Sequence, residues 1–225
     1  MNVATVDSLS NELIRDMNWR IREISDLKQA IRTIPPALRA SSMRASIPIF
    51  YAHWEGHVRV CATGYVLHIS MRRLEYKELT RGYMLATLRS EFNRLSGKSL
   101  SKLEQMKFIE TVFNTEAQRF GSKSEYLVDT KSNLSFATLC EILNVIGIDG
   151  ALFEPEESFI DRILLDKRNN IAHGQNIVLT DDELEDISSK TIGLMRTFRN
   201  LVENAALAQA YKKTPLVTAL PAIAP

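Results

Sequence analysis

Cysteine is scarce in this chain of 225 residues: Cys61 and Cys140 are the only two, they lie far apart, and both fall inside apolar helical patterns. That usage predicts buried, reduced thiols and excludes a disulfide scaffold. Glycine (9) and proline (7) are also sparse, too few for a sandwich or barrel that turns every ~8–12 residues, so an all-β fold is excluded. No run of ~18 uncharged apolar residues occurs, and Met1 to Asp16 lacks the basic and apolar regions of an export signal. A cytoplasmic protein without membrane partners is expected. Neither charge sign dominates: 28 Lys and Arg face 27 Asp and Glu, net +1, which leaves no global field to draw in nucleic acid. Gly147-Ile148-Asp149-Gly150 follows a helix instead of opening one, so no phosphate loop is present; a Gly-x-Ser-x-Gly elbow and zinc-type cysteine spacing are missing too. No cofactor and no metal are expected.

What is present is apolar side chains at 45% and charged ones at 24%, enough for a substantial core. On a prior of roughly 150 residues per domain, the chain reads as one unit over 1–211 with a Pro-containing tail at 212–225 that is disordered or lies against a partner. Leu13, Met17, Ile21, Ile24, Leu27 and Ile31 recur at spacings of three and four and trace one helical stripe, ended by Pro35-Pro36. A second helix is expected from Ser46 as N-cap, with Pro48 in its first turn, through Leu67; Ala52, Gly56 and Gly64 on it permit close approach by another helix. Weaker helical patterns cover 74–95 and 100–113, with a short extended piece around Tyr126, Leu127 and Val128. Ser132-Asn133 open a helix closed by Gly147, and Pro155 opens another that runs to Gly174. Thr180 caps a long segment starting Asp181-Asp182-Glu183, which fades after Tyr211. The fold class is all-α, an antiparallel helical bundle.

Polar and ionisable residues concentrate at the end of one helix, in Leu165-Asp166-Lys167-Arg168-Asn169-Asn170-Ile171-Ala172-His173-Gly174. Arg168-Asn169-Asn170-Ile171-Ala172-His173 resembles the signature of the HEPN superfamily of defence ribonucleases: Arg, a polar residue, spacers, then His. Two further stretches, 47–56 (Ile-Pro-Ile-Phe-Tyr-Ala-His-Trp-Glu-Gly) and 129–135 (Asp-Thr-Lys-Ser-Asn-Leu-Ser), are similar to the larger subclass grouped with RiboL-PSP-HEPN proteins. The resemblance covers 47–174. It implies a HEPN core with additional helices and an endoribonuclease acting on RNA, such as tRNA or single-stranded RNA, in a toxin–antitoxin or antiviral setting. An antitoxin or defence-system protein is an implied partner.

The motif suits cleavage of RNA without metal. Attack by a ribose 2′-OH on the adjacent phosphate needs a base, an acid and stabilisation of added negative charge. His173 has the side chain for proton transfer near neutrality, and the Arg168 guanidinium grips phosphate oxygens. Asn169 and Asn170 can orient phosphate or imidazole. One imidazole cannot be base and acid in one concerted step, and the resemblance implies a homodimer in which two motifs form a composite cleft. On an ideal helix Arg168 and His173 lie about 140° apart, whereas Asp166, Asn169, Asn170 and His173 share a face. Either Arg168 reaches round, or the helix loosens before Gly174, or Arg168 serves the partner's site; Asp166 or Asn169 would orient His173. The other reading of the segment is an ordinary helix C-terminus with Gly174 just beyond it.

His53 and His57 stand at zinc-binding spacing, but Glu55 is misplaced for a peptidase and His68 is ~16 Å further along, so structural histidines are expected. Tyr51, Trp54 and Glu55 are read either as supports that pack against the motif helix or as plain core. Residues 1–110 carry net +6 and 111–225 net −5. Arg15, Arg22, Arg59, Arg72, Arg73, Arg81, Arg89 and Arg94 could line an RNA approach, or be solvated surface. The competing functional class is a non-catalytic helical interaction or RNA-binding module that regulates a partner.

Overall fold

The structure, a computed structural model, describes residues 1–97, 99–121 and 127–213. Three long helices make its frame. The apolar stripe of the first segment forms α1 (Val6–Thr33), opened by a capping box between Thr5 and Ser8. α2 (Pro36–Ser70) follows after two residues, a connection short enough to fold the pair back as an antiparallel hairpin. α7 (Asp181–Leu207) begins, as its sequence requires, with Thr180 and Glu183 capping one another. These three helices pack mutually. A single apolar cluster joins Val3 to Tyr211. Between α2 and α7 lie 3₁₀ turns at Tyr76–Glu78 and Arg81–Met84, α3 (Leu85–Leu95), α4 (Lys102–Glu116) and α5 (Phe136–Val145). Next come a 3₁₀ segment at Ala151–Glu156, a π-helix at Phe159–Asp166 and α6 (Lys167–Ala172). No strand occurs among the described residues, and none of their helices is long and apolar enough to cross a membrane.

Several expectations are corrected. α2 starts at Pro36, ten residues before Ser46. Proline at the first helical position is preorganised for it, and Ser46 caps nothing: its hydroxyl donates to the Met43 carbonyl (2.7 Å). Pro48 therefore sits inside the helix, where its missing N–H leaves the Arg44 carbonyl without a helical partner. The stretch 74–84 is turns and 3₁₀ geometry, and only Leu85–Leu95 is α-helical. α5 is capped by Ser135 instead of Ser132-Asn133, because Lys131 and Ser132 are left-handed (φ 52° and 57°). The segment after Pro155 is not one uniform helix; its pitch passes from 3₁₀ through π to α. Leu127 and Val128 are buried in a turn and the loop after it. Tyr126, and the tail from 214 onward, lie outside the described residues.

The small residues of α2 do admit α1. A Cβ on Gly56 would stand 2.7 Å from Arg20 Nη1, so glycine lets the buried Arg20 lie across the helix. There its guanidinium bonds Asp16 (2.8 and 3.0 Å) and the His53 carbonyl (3.4 Å). Asp16 also meets His57 Nδ1 at 2.7 Å. Burial raises the Asp16 pKa, but its hydrogen bonds to His57 and Arg20, with their charges, outweigh that and hold it at about 2.

Candidate functional site

The motif sits where α6 ends against α2. α6 stops in a Schellman arrangement: His173 leaves helical geometry (φ −89°, ψ 13°) and Gly174 takes φ +81°. The Gly174 and Gln175 N–H groups return to the Ile171 and Asn170 carbonyls (3.0 and 2.9 Å). The helix loosens at His173, one of the routes the spacing allowed. His173 is exposed, and its imidazole has no hydrogen bond to any described residue. The segment is thus a well-formed helix terminus and an open histidine together.

Arg168 points elsewhere and is held on three sides. Its Nη1 donates to Asn133 Oδ1 (3.0 Å) and Asn169 Oδ1 (2.6 Å), and its guanidinium carbon lies 5.0 Å from the centre of the Tyr51 ring, a cation–π contact. Asn169 accordingly serves Arg168 and not His173. Asp166 is exposed, Asn170 is half-buried, and neither orients the imidazole. One Arg168 partner, Asn133, stands on a strained turn: its N–H returns to the Thr130 carbonyl (3.0 Å) across Lys131 and Ser132, the positive-φ pair of a type I′ turn. Such residues cost of order 1 kcal/mol each and persist only where the surroundings over-determine them.

Those surroundings come from α2. The Leu134 N–H donates to the Tyr51 hydroxyl (2.5 Å), and Thr130 Oγ1 donates to Glu55 Oε1 (2.7 Å). Arg59 Nη2 reaches both Glu55 (3.1 Å) and Thr130 (2.6 Å). Asp129 Oδ1 takes the Lys131 N–H (2.9 Å). Burial pushes the Tyr51 phenol far above its ordinary range, and the charge of the Glu55 carboxylate adds to that, so the hydroxyl stays protonated. Glu55 is bound into the turn through Thr130 and Arg59. Trp54 is fully buried between Phe153 and Phe198, with centroids 6.1 Å from each, and its indole N–H has no partner; it is core.

Of the residues expected from sequence, Arg168, Asn169, Tyr51 and Glu55 join one network, while the exposed His173 side chain makes no contact with it. Asn133, Thr130 and Arg59 complete it; Arg59 is one of the arginines read as a candidate RNA approach, and Asn133 and Thr130 lie in the 129–135 stretch that carries the resemblance without being marked individually. Much of the expected basic approach is spent locally: Arg15 pairs with Glu12, Arg94 with Glu91 and Arg59 with Glu55. His57 and His68 bond Asp16 and the Val3 carbonyl. No group of three or more potential metal ligands occurs among the described residues, and both cysteines are free thiols.

Comparison with known proteins identifies the family. No curated protein and no solved structure matched this chain. The RiboL-PSP-HEPN family model matches residues 15–204, well beyond the 47–174 span that the motifs alone marked. The chain therefore belongs to the RiboL-PSP-HEPN family.

Proposed function

We propose that this protein is a metal-independent endoribonuclease that cuts RNA by attack of a ribose 2′-OH on the neighbouring phosphate. His173 acts as acid or base, and Arg168, set by Asn169 and Asn133, stabilises the charge that develops on the phosphate. Family membership supports RNase-like chemistry. The observation that carries the reading is the asymmetry of the motif: Arg168 is fixed by three neighbours while the His173 imidazole is open and unpartnered. A positioned cation and a free imidazole, five residues apart on one helix end, are the two kinds of group that phosphodiester cleavage needs. A second copy supplies the other imidazole in a composite dimer cleft, so that one histidine deprotonates the 2′-OH and the other protonates the leaving 5′-oxygen. We place the activity in the cytoplasm, in a toxin–antitoxin or antiviral role with a partner protein that restrains it, on a single folded unit over 1–211.

Co-purified mixtures of Arg168→Ala and His173→Ala chains test this. Each homodimer is expected to lose cleavage and toxicity while keeping its fold. Full activity in either single variant refutes the assignment. RNA that is bound by the wild type and by both variants but cleaved by none of them points to the competing class, a binding module that regulates a partner.

A further inference from the structure

A cavity of about 280 Å³ opens beside the strained turn, between α3 and α5. Its floor is apolar, from Leu127, Ile142 and Val145, with the first two buried. Phe92 of α3 forms one wall; this ring is 46% exposed and is backed by Phe108 of α4 at 5.3 Å between centroids. The rim carries both signs: Arg89 forms an ion pair with Asp129 (3.9 Å) and Lys131 with Glu141 (2.5 Å). The volume lies below the ~300 Å³ at which drug-sized sites begin, and suits one planar ring system. An apolar floor, one aromatic face, and a donor and an acceptor at the edge match a nucleobase, which stacks on any π-face and carries both kinds of hydrogen-bonding group on its rim. Asp129 lines this cavity, and Asn133 of the same turn holds Arg168. The turn has one side in the cavity and the other on the motif.

We propose that this cavity is a nucleobase subsite of the RNA cleft, taking one base of the strand whose phosphate lies at Arg168. The inference rests on the ribonuclease reading and adds to it a base-binding subsite, which takes an unpaired base because a base in a duplex cannot enter. Full-length His173→Ala protein, with and without Phe92→Ala, is titrated with labelled single-stranded oligoribonucleotides in which each base in turn is removed. One position is expected whose loss weakens binding about tenfold. Phe92→Ala weakens the intact oligomer by a similar factor and makes that position indifferent. Phe92→Leu, which keeps apolar volume without the aromatic face, behaves the same way and guards against a folding artefact. A flat profile, or a profile unchanged by both substitutions, overturns the subsite; cleavage by the wild type then leaves the ribonuclease reading standing. Free nucleoside monophosphate binding as tightly as the oligomer also overturns it, in favour of a free-nucleotide site. Absence of both cleavage and binding sinks the reading beneath it.

Discussion

Tyr51→Phe removes one oxygen from the centre of the network. The ring remains, so the contact with the Arg168 guanidinium at 5.0 Å is kept, but the Leu134 N–H loses its acceptor. Leu134 is fully buried, and a buried donor without a partner costs about 1–3 kcal/mol. Against this stands the strain of Lys131 and Ser132, on the order of 1 kcal/mol each, which the lost bond helped to hold. The two amounts are alike, so the turn is expected to relax locally. Guanidinium denaturation should show a loss of about 1–3 kcal/mol, with a fall in Tm of roughly 2–4 °C for each kcal/mol, and Asn133 should no longer fix Arg168. Ser132→Gly, which relieves the left-handed strain at φ 57°, should recover about 0.5–1 kcal/mol in the same background. A Tyr51→Phe protein within about 0.3 kcal/mol of wild type would refute the claim that the hydroxyl holds the turn.

Gly82→Ala should be among the most damaging small substitutions, because its Cβ would stand 2.0 Å from the Val145 carbonyl oxygen; a loss of about 3 kcal/mol or more, or no soluble protein, is expected in thermal melts. Asp16 has a folded pKa of about 2, below its unfolded value, so its contribution is complete above pH ~4 and disappears as pH falls through 2. Acid titration by circular dichroism should find about 2 kcal/mol of pH-dependent stability over that window, absent in Asp16→Asn; an unchanged slope contradicts the buried Asp16–His57–Arg20 network. Asn133→Ala should leave the melt nearly unchanged and lower kcat/KM for RNA by a factor of several, carried mainly by kcat, in steady-state cleavage; a kcat/KM equal to wild type would mean that Arg168 needs no second amide.

Elements whose signals are local were readable from the chain. α1 announces itself by an apolar stripe and α7 by a stripe and an N-terminal cap, and the Arg168–His173 spacing marked the candidate site. α2 was misjudged at its start because Ser46 and Pro48 imitate a helix N-terminus, while the real one, at Pro36, has no side-chain cap at all. The change of pitch before Arg168 left no trace, since π and α periods differ too little over eight residues to separate by pattern. The partners of Arg168 and Glu55 were hidden for another reason. Asn133 is 35 residues from Arg168, and Thr130 is 75 from Glu55; only tertiary folding makes them neighbours. The two-residue left-handed turn that joins them carries no glycine to advertise it.

The most direct test of the central claim is incubation of wild-type and His173→Ala protein with end-labelled tRNA and single-stranded RNA in excess EDTA, followed by end-group analysis. The account predicts fragments from the wild type alone, ending in a 2′,3′-cyclic phosphate or 3′-phosphate with a 5′-hydroxyl on the other piece. Cleavage that survives His173→Ala, that stops in EDTA, or that leaves 5′-phosphates would contradict it.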